Sequence, residues 1–518
     1  MRQQCMKGNK VNHTKTLKPV LNPYLPQDYC IPDGEPHVFG DRLYIYGSQD
    51  QLGGDGFCLL DYEVFSAPLS DLSRWRSEGK AYSARWDPDY TPTRDNVLFA
   101  PDCVQGNDGR FYLYYATSGG HLTSCIRVAV SDNPGGPFQF HGCVRAQDGT
   151  PLRRGITFDP AVLNDDGQIR LYYGFSATVN PGSPLSAEDT LAVQQQEAAM
   201  FEKTPGELSV PGGISGCFTV TLAEDMLTVT AEPVRVLPGQ LAAQKTDFCC
   251  HAFFEASSIR KIGKRYYLVY SSEVQHELCY AVSDRPDRGF CYGGVLISNG
   301  NIGFHGQKTA DATTGNNHGG MVQLNGQWYI FYHRQTHTDT FSRQGCAEPI
   351  QIAPDGSIAQ VQTGSCGLNG GPLPVEGEYP ATVACSLYDG PMPHAGPNPP
   401  ERPVPHITHR PLEDGKNEHY ITEIHRGTVI AYRRFAFDGP TRLTLLLRRQ
   451  PGSVIGPDAR LEIWTEDVLQ GTVALPSDGI SENSWQPIGV PVVYEGAAQL
   501  DIRYFGGGAI ELLQLHWD

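Results

Sequence analysis

No run of about 18 apolar residues occurs in this 518-residue chain, so no segment has the composition of a membrane-spanning helix. Positive charge is also scarce: 40 Lys and Arg stand against 57 Asp and Glu, a formal net charge of −17. Phosphate recognition needs a basic face, which argues against nucleic acid as a partner. An anionic membrane surface or a polyanionic substrate fits equally poorly, and neutral ligands are favoured. The single basic stretch, MRQQCMKGNKVNHTKTLKPV, carries five Lys or Arg and no acid. No apolar segment follows it, as a secretory leader would require, and residues 1–19 are expected to form a loosely ordered arm. The 14 cysteines, including the adjacent Cys249 and Cys250, lack the spacing of a metal site or a disulfide framework. Mostly free thiols in a reducing cytoplasm are the expectation.

Glycine, proline and tyrosine are plentiful, at 57, 39 and 25 residues, and together they lean towards β structure with many turns. The length suggests two domains or three. One pattern occurs five times: GDRLYIY (40–46), GRFYLYY (109–115), GQIRLYY (167–173), GKRYYLVY (263–270) and GQWYIFY (326–332). Each copy opens on a turn glycine, runs on as an aromatic strand, and follows a short apolar segment: EPHVF, APDCVQ, DPAVLN, EASSIRKI or GGMVQL. The repeated unit is a β-hairpin. Five unevenly spaced hairpins predict an all-β, five-bladed β-propeller, with an irregular sandwich as the alternative. Between the third and fourth copies, EDTLAVQQQEAAMFEK (188–203) predicts a surface helix.

The texture changes after about residue 365. GPMPHAGPNPPERPVPH (390–406) is proline-rich, and 366–417 is expected to be a linker or extended connection. From 418 to 518, short runs such as TRLTLLLRR, ARLEIWTE and AIELLQLHW predict a small β-sandwich of jelly-roll type.

Blades that share an axis gather the starts of their innermost strands at one mouth. Those starts carry Asp33 (IPDGEPHVF), Asp102 (FAPD), Asp159 (FDPAVLNDDG), Glu255 (FFEASS) and His318 (NNHGGMV). Any one such acid is usually a turn or cap residue, but four at matching points of a repeat would share a pocket. Glu255 follows Phe253 and Phe254, so desolvation would raise its pKa and let it hold a proton near neutrality. Asp33 has less apolar cover in a Pro-Asp-Gly turn and would stay ionised. Two carboxyls pushed apart in pKa are the equipment of glycoside hydrolysis.

At these residues the chain, over roughly 20–365, resembles glycoside hydrolase family 43, whose members are inverting five-bladed propellers. IPDGEPHVFGDRLYIYGSQD is similar to the family's first-blade segment and implies Asp33 as general base. Glu35 competes for that role, because many relatives have Asp-Pro where this chain has Asp-Gly-Glu-Pro. The resemblance implies that Asp159, in FDPAVLNDDG, stays ionised and tunes and orients the acid, and that Glu255 is the general acid. Phe99 and Asp102 match a segment lining the sugar subsite, and Arg343 (FSRQGCAEPI) a substrate-contacting region. His318 matches an axial His that contacts substrate or faces a central ion such as Ca2+; no cofactor is otherwise required. The C-terminal stretch resembles carbohydrate-binding module family 6, without placing Tyr420 or Trp485 on a binding face.

The implied activity is release of terminal α-L-arabinofuranosyl groups from plant cell-wall oligosaccharide or polysaccharide (arabinan, arabinoxylan). β-D-xylosidase, galactofuranosidase and endo-arabinanase activities are alternatives on the same scaffold. A non-catalytic sugar-binding propeller would not need the acids, and a glycoside phosphorylase would need a basic phosphate site near Glu255, where Lys and Arg are sparse.

Overall fold

The computed structural model describes residues 20–518 apart from 92–96, 118–124, 153, 202, 207, 209–211 and 478; the expected arm at 1–19 lies outside the described residues. The five repeated hairpins become the first two strands of five separate antiparallel sheets. Blade 1 runs through Glu35–Phe39, Arg42–Tyr46, Tyr62–Pro68 and Arg76–Tyr82, and blade 2 through Asp102–Gln105, Phe111–Tyr115, Arg127–Ser131 and Gln139–Cys143. Blade 3 comprises Ala161–Asp165, Gln168–Phe175, Gly216–Thr221 and Val234–Pro238, and blade 4 Phe253–Ile262, Arg265–Ser272, Glu277–Ser283 and Cys291–Ser298. Blade 5 has three strands, Met321–Leu324, Gln327–Gln335 and Arg343–Ile350. The glycine opening each repeat has a positive φ, between 62° and 95°, a conformation that costs any residue with a Cβ.

Why both faces of the repeated strand carry apolar side chains follows from the packing. Successive side chains of a strand point to opposite faces, and here both faces are covered. In blade 1, Leu43 and Ile45 pack towards blade 5 while Tyr44 and Tyr46 pack towards blade 2. In blade 2, Phe111, Leu113 and Tyr115 face blade 1, whereas Tyr112 and Tyr114 face blade 3. Similar cores join blades 3 to 4 and 4 to 5. The ring closes where Val322, Leu324 and Phe331 of blade 5 meet Leu43, Ile45 and Phe65 of blade 1, with Tyr24 and Leu25 wedged beside them.

The predicted helix is present as Ala187–Met200, with Ser186 and Asp189 forming a capping box that satisfies its first amides. It stops short of the expected 203: Phe201, at the C-cap, leaves the helical region with φ −107° and ψ 10°.

The C-terminal part is a β-sandwich. Its long strands Val429–Arg449 and Gln486–Phe505 pair along most of their length. The first borders Ser386–Tyr388 at its start and Ile510–Trp517 further on, so both layers share one core around Leu443, Leu445, Val492 and Trp517. The expected connection at 366–417 needs correction. Leu373–Pro374, Gly377–Pro380, Ser386–Tyr388 and His406–Pro411 all pair into this sheet. Proline at edges and strand starts is compatible with such pairing. What lies between these strands returns to the propeller: His394 bridges to Thr314, with Thr314 N–H donating to Pro393 O at 3.1 Å and Ala395 N–H to Thr314 O at 2.6 Å.

Candidate active site

A cavity of about 410 Å³ opens at the propeller mouth and is lined by Asp33, Asp159, Glu255, His318, Phe99 and Arg343, among others. Six residues named from the sequence therefore share one pocket. Two of the three acids sit on unusual backbone: φ is 57° at Asp33 and 43° at Asp159, a strain that persists where the surroundings fix it and that clusters at working sites. Glu255 is aimed by a bulge. Pairing of Phe253–Ile262 with its neighbour slips on both sides of Glu255, Ala256 takes φ 67°, and its N–H donates to Asp159 Oδ2 at 3.0 Å. Bulges commonly re-aim a side chain in this way.

The surroundings of the acids differ. Burial would raise the Asp33 carboxyl, but the Arg343 guanidinium outweighs it and holds Asp33 well below the usual carboxylate range. Arg343 Nη1 donates to Asp33 Oδ1 at 3.2 Å, and its Nε and Nη2 each donate to Asp50 at 2.9 Å. Ser48 Oγ donates to Asp33 Oδ2. The Asp33 N–H donates to His333 Nδ1 at 3.2 Å while His333 Nε2 lies 2.8 Å from Asn316 O, which assigns the neutral Nε2–H tautomer to that ring.

Glu255 is pushed up to about 7, first by burial and then by the charge of Asp33. Asp159 is raised by burial and by the charges of Glu255 and Asp33. The expectation of an independently ionised Asp159 thus gives way to a coupled pair that holds a proton near neutrality, since like charges this close cannot both ionise cheaply. His318 Nδ1 lies 3.6 Å from Asp159 Oδ2 and 3.9 Å from Asp33 Oδ1. Burial lowers its pKa to about 4, so it is a neutral imidazole between the acids. His318 belongs to none of the clusters of three ligating side chains among the described residues. A single imidazole suits oxygen-seeking Ca2+ poorly, so these side chains alone do not form a Ca2+ site.

One sequence expectation fails here. Asp102 does not line the cavity. It is 1% exposed and accepts hydrogen bonds from Val162 N–H and Cys103 N–H at 2.6 and 2.7 Å, with His37 Nε2 at 2.6 Å. A carboxylate so engaged ties blades 1, 2 and 3 together rather than meeting a sugar. Glu35, the competitor for Asp33, is also outside the cavity; it accepts from Ser258 Oγ at 2.9 Å and pairs with Arg260 Nη2 at 2.5 Å. The same spot explains a glycine: a Cβ on Gly320 would lie 2.5 Å from both Glu35 Oε2 and Ser258 Oγ. Arg343 is present as expected but spends its donors on Asp33 and Asp50, and it stacks on Phe57 at 4.7 Å.

Sequence reasoning missed Asp50, Ser48 and His333, which set the state of Asp33, and the wall formed by His394–Pro397. GSQD directly after the first repeat (47–50) was the available signal for Ser48 and Asp50. A proline-rich stretch gives no hint of where it docks. The apolar wall is a chain of rings: Phe99 to Phe158 at 4.9 Å, Phe158 to Phe175 at 5.6 Å and Phe175 to Phe254 at 5.0 Å. Tyr420 and Trp485 of the sandwich both pack on Arg448, at 5.0 and 4.2 Å.

A propeller whose mouth gathers one ionised and two proton-sharing carboxyls against an aromatic wall defines a glycoside hydrolase. The chain belongs to glycosyl hydrolases family 43, which residues 20–205 match directly. It is 45% identical over 375 residues to a xylosidase/arabinosidase from Thermoclostridium stercorarium, covering 71% of this chain and 72% of that protein. A second xylosidase/arabinosidase, from Bacteroides ovatus, is 30% identical over 65% of this chain and 96% of its own. Among solved structures, a family 43 β-xylosidase/α-arabinofuranosidase from a compost microbial metagenome superposes with a TM-score of 0.50 and 25% identity, over 67% of this chain and 97% of that one.

Proposed function

We propose that the protein is an exo-acting, inverting glycosidase that removes terminal pentosyl groups from plant cell-wall oligosaccharides such as those of arabinan and arabinoxylan. The preferred group is α-L-arabinofuranosyl, with β-D-xylosyl second. The observation that carries this reading is the unequal setting of two carboxyls in one cavity: Arg343 Nη1 donates to Asp33 at 3.2 Å and favours its ionised form, whereas Glu255 lies beside Phe254, where burial raises it to about 7. Asp33 takes a proton from water as its oxygen bonds to the anomeric carbon. Glu255 gives its proton to the departing glycosidic oxygen as that bond breaks. Asp159 orients Glu255 through the Ala256 amide and exchanges charge with it, so that the pair re-protonates between turnovers. Phe99 and Phe158 offer an apolar platform to the sugar, and neutral His318 offers a hydrogen-bonding edge.

The sugar class rests on relatives that carry both activities in their names. Exo-action is supported by the His394–Pro397 wall, which makes a pocket where a polymer would need an open cleft. A phosphorylase is disfavoured because Arg343, the only Lys or Arg among the described residues lining the cavity, is committed to Asp33 and Asp50. The test is hydrolysis of a panel of aryl arabinofuranosides, xylosides and galactofuranosides with the first-formed anomer followed by NMR. Inverted arabinose as the main product supports the reading. A retained anomer, or release that depends on phosphate, overturns it.

A further inference from the structure

Three clusters of potential metal ligands occur among the described residues. In two of them a carboxylate already engages the imidazole: His37 Nε2 lies 2.6 Å from Asp102, and His251 Nδ1 lies 2.6 Å from Glu277. The third has no acid. One ring nitrogen from each of His337, His409 and His419 lies within 4.8 Å of the other two. His337 follows the long strand of blade 5, whereas His409 and His419 are directly opposed on the hairpin His406–Pro411 and Asn417–Ile424 of the sandwich. The two parts are tied beside the cluster by Ile407 N–H donating to Thr336 O at 3.1 Å.

Hydrogen-bond partners fix the lone pairs of two of the three rings. Thr336 Oγ1 donates to Gln344 Oε1 at 2.8 Å, so it accepts from His337 Nδ1–H at 3.0 Å, leaving a lone pair on Nε2. His419 Nε2–H donates to Asp28 at 2.9 Å, where Asn417 Nδ2 also donates at 2.8 Å, leaving a lone pair on Nδ1. Both of those nitrogens, with His409 Nδ1, are buried and have no hydrogen-bond partner among the described residues. Buried polar atoms are ordinarily satisfied, and converging imidazole lone pairs are satisfied by a Lewis acid.

We propose that His337, His409 and His419 bind a zinc-type divalent cation at the seam between the propeller and the sandwich. Three imidazoles are a borderline-soft donor set that suits such an ion and leaves one position for water. The Asp28 carboxylate on the far nitrogen of His419 is the outer-shell partner that orients a ligating imidazole. The segment leaving His337 continues to Thr340 and Phe341, which line the active-site cavity, and to Arg343, which holds Asp33. A bound ion would therefore brace one wall of the pocket against the sandwich.

The test uses the full chain, stripped with chelator and reloaded with Zn2+ or Co2+ alone. One equivalent should bind, and the Co2+ form should show ligand-field bands without thiolate-to-cobalt charge transfer, which separates this site from the cysteines. His409→Gln and His419→Gln should each weaken binding by more than about 100-fold, and Asp28→Asn by about 10- to 100-fold as an outer-shell change. Zn2+ should raise the Tm of the parent chain and leave that of His409→Gln unchanged; a folded thermal transition in that variant guards against misfolding. Equal metal binding by the parent and a His409→Gln/His419→Gln double variant overturns the proposal. So does a parent chain that binds no metal, in which case a trapped water satisfies the nitrogens.

Discussion

The two sides of the active-site cavity are built from the same kind of strand start and yet hold their acids in opposite states. On the side of blades 1 and 5, Asp33 accepts from Ser48 and Arg343, with the neutral His333 and His318 rings beside it. On the side of blades 3 and 4, Asp159 and Glu255 share the cavity with Phe158 and Phe254, and Asp159 accepts from the amide of Ala256, the residue after Glu255. Burial is common to both sides, so it cannot be what separates them. The difference is a single guanidinium, placed where it compensates Asp33 and Asp50 but reaches the Asp159–Glu255 pair only weakly.

Removing either acid should have the largest effect. Asp33→Asn and Glu255→Gln are each expected to lower kcat on natural linkages by about 10²- to 10⁴-fold, the usual range for general acid–base groups. The two should part company on activated aryl glycosides. Glu255→Gln should recover much of its rate there, because a good leaving group needs no proton, whereas Asp33→Asn should not. Equal losses on both substrates for Glu255→Gln would remove the acid role. Next comes Arg343→Met, which leaves Asp33 and Asp50 buried without their cation. Breaking a buried pair in this way costs about 3–5 kcal/mol, measurable as a lower midpoint in denaturant. The remaining folded enzyme should show a new acidic limb in its pH–rate profile as Asp33 returns towards, or above, its ordinary value.

The propeller was legible because its signal is repeated and local: a turn glycine followed by a strand apolar on both faces can be counted five times. Asp33, Asp159 and Glu255 were legible for the same reason, since each stands at a fixed place relative to a repeat. Asp102 stands at the same place and was misjudged, because its side chain is spent on Val162 N–H and His37, and those contacts lie 60 or more residues away in sequence. The bulge at Glu255 and the left-handed Ala256 left no pattern to read. The composition of the proline-rich stretch predicts a linker or extended connection; its docking on Thr314 depends on tertiary backbone bonds that composition does not encode.

The pH dependence of the parent enzyme sharpens the comparison by a smaller amount. With Glu255 as the proposed general acid, the rate on natural linkages should be held below about pH 7 and fall as pH rises through it, with the apparent value belonging to the Asp159–Glu255 pair. On the acid side no limb from Asp33 should occur until well below the usual carboxylate range. Phe254→Ala, which lets water reach Glu255, should shift the alkaline limb down. An unmoved limb would mean that the charge of Asp33, and not the aromatic cover, sets it.

The smallest expected effect tests whether the proline-rich wall belongs to binding or to chemistry. His394 Nε2 lies 3.2 Å from Gln275 Oε1 and Nδ1 lies 3.2 Å from Thr314 Oγ1, so the ring joins the wall to blades 4 and 5. His394→Ala removes both links, each worth about 0.5–1.5 kcal/mol net, while the backbone bonds between Pro393, Ala395 and Thr314 stay in place. KM should rise by about 2- to 13-fold, the equivalent of one such link, with kcat nearly unchanged, because the proposed acid and base, Glu255 and Asp33, keep their neighbours. A fall in kcat comparable with that of Asp33→Asn would instead show that the wall fixes the protonation contrast, by excluding water from Glu255, and the boundary between the two sides of the cavity would have to be redrawn through His394.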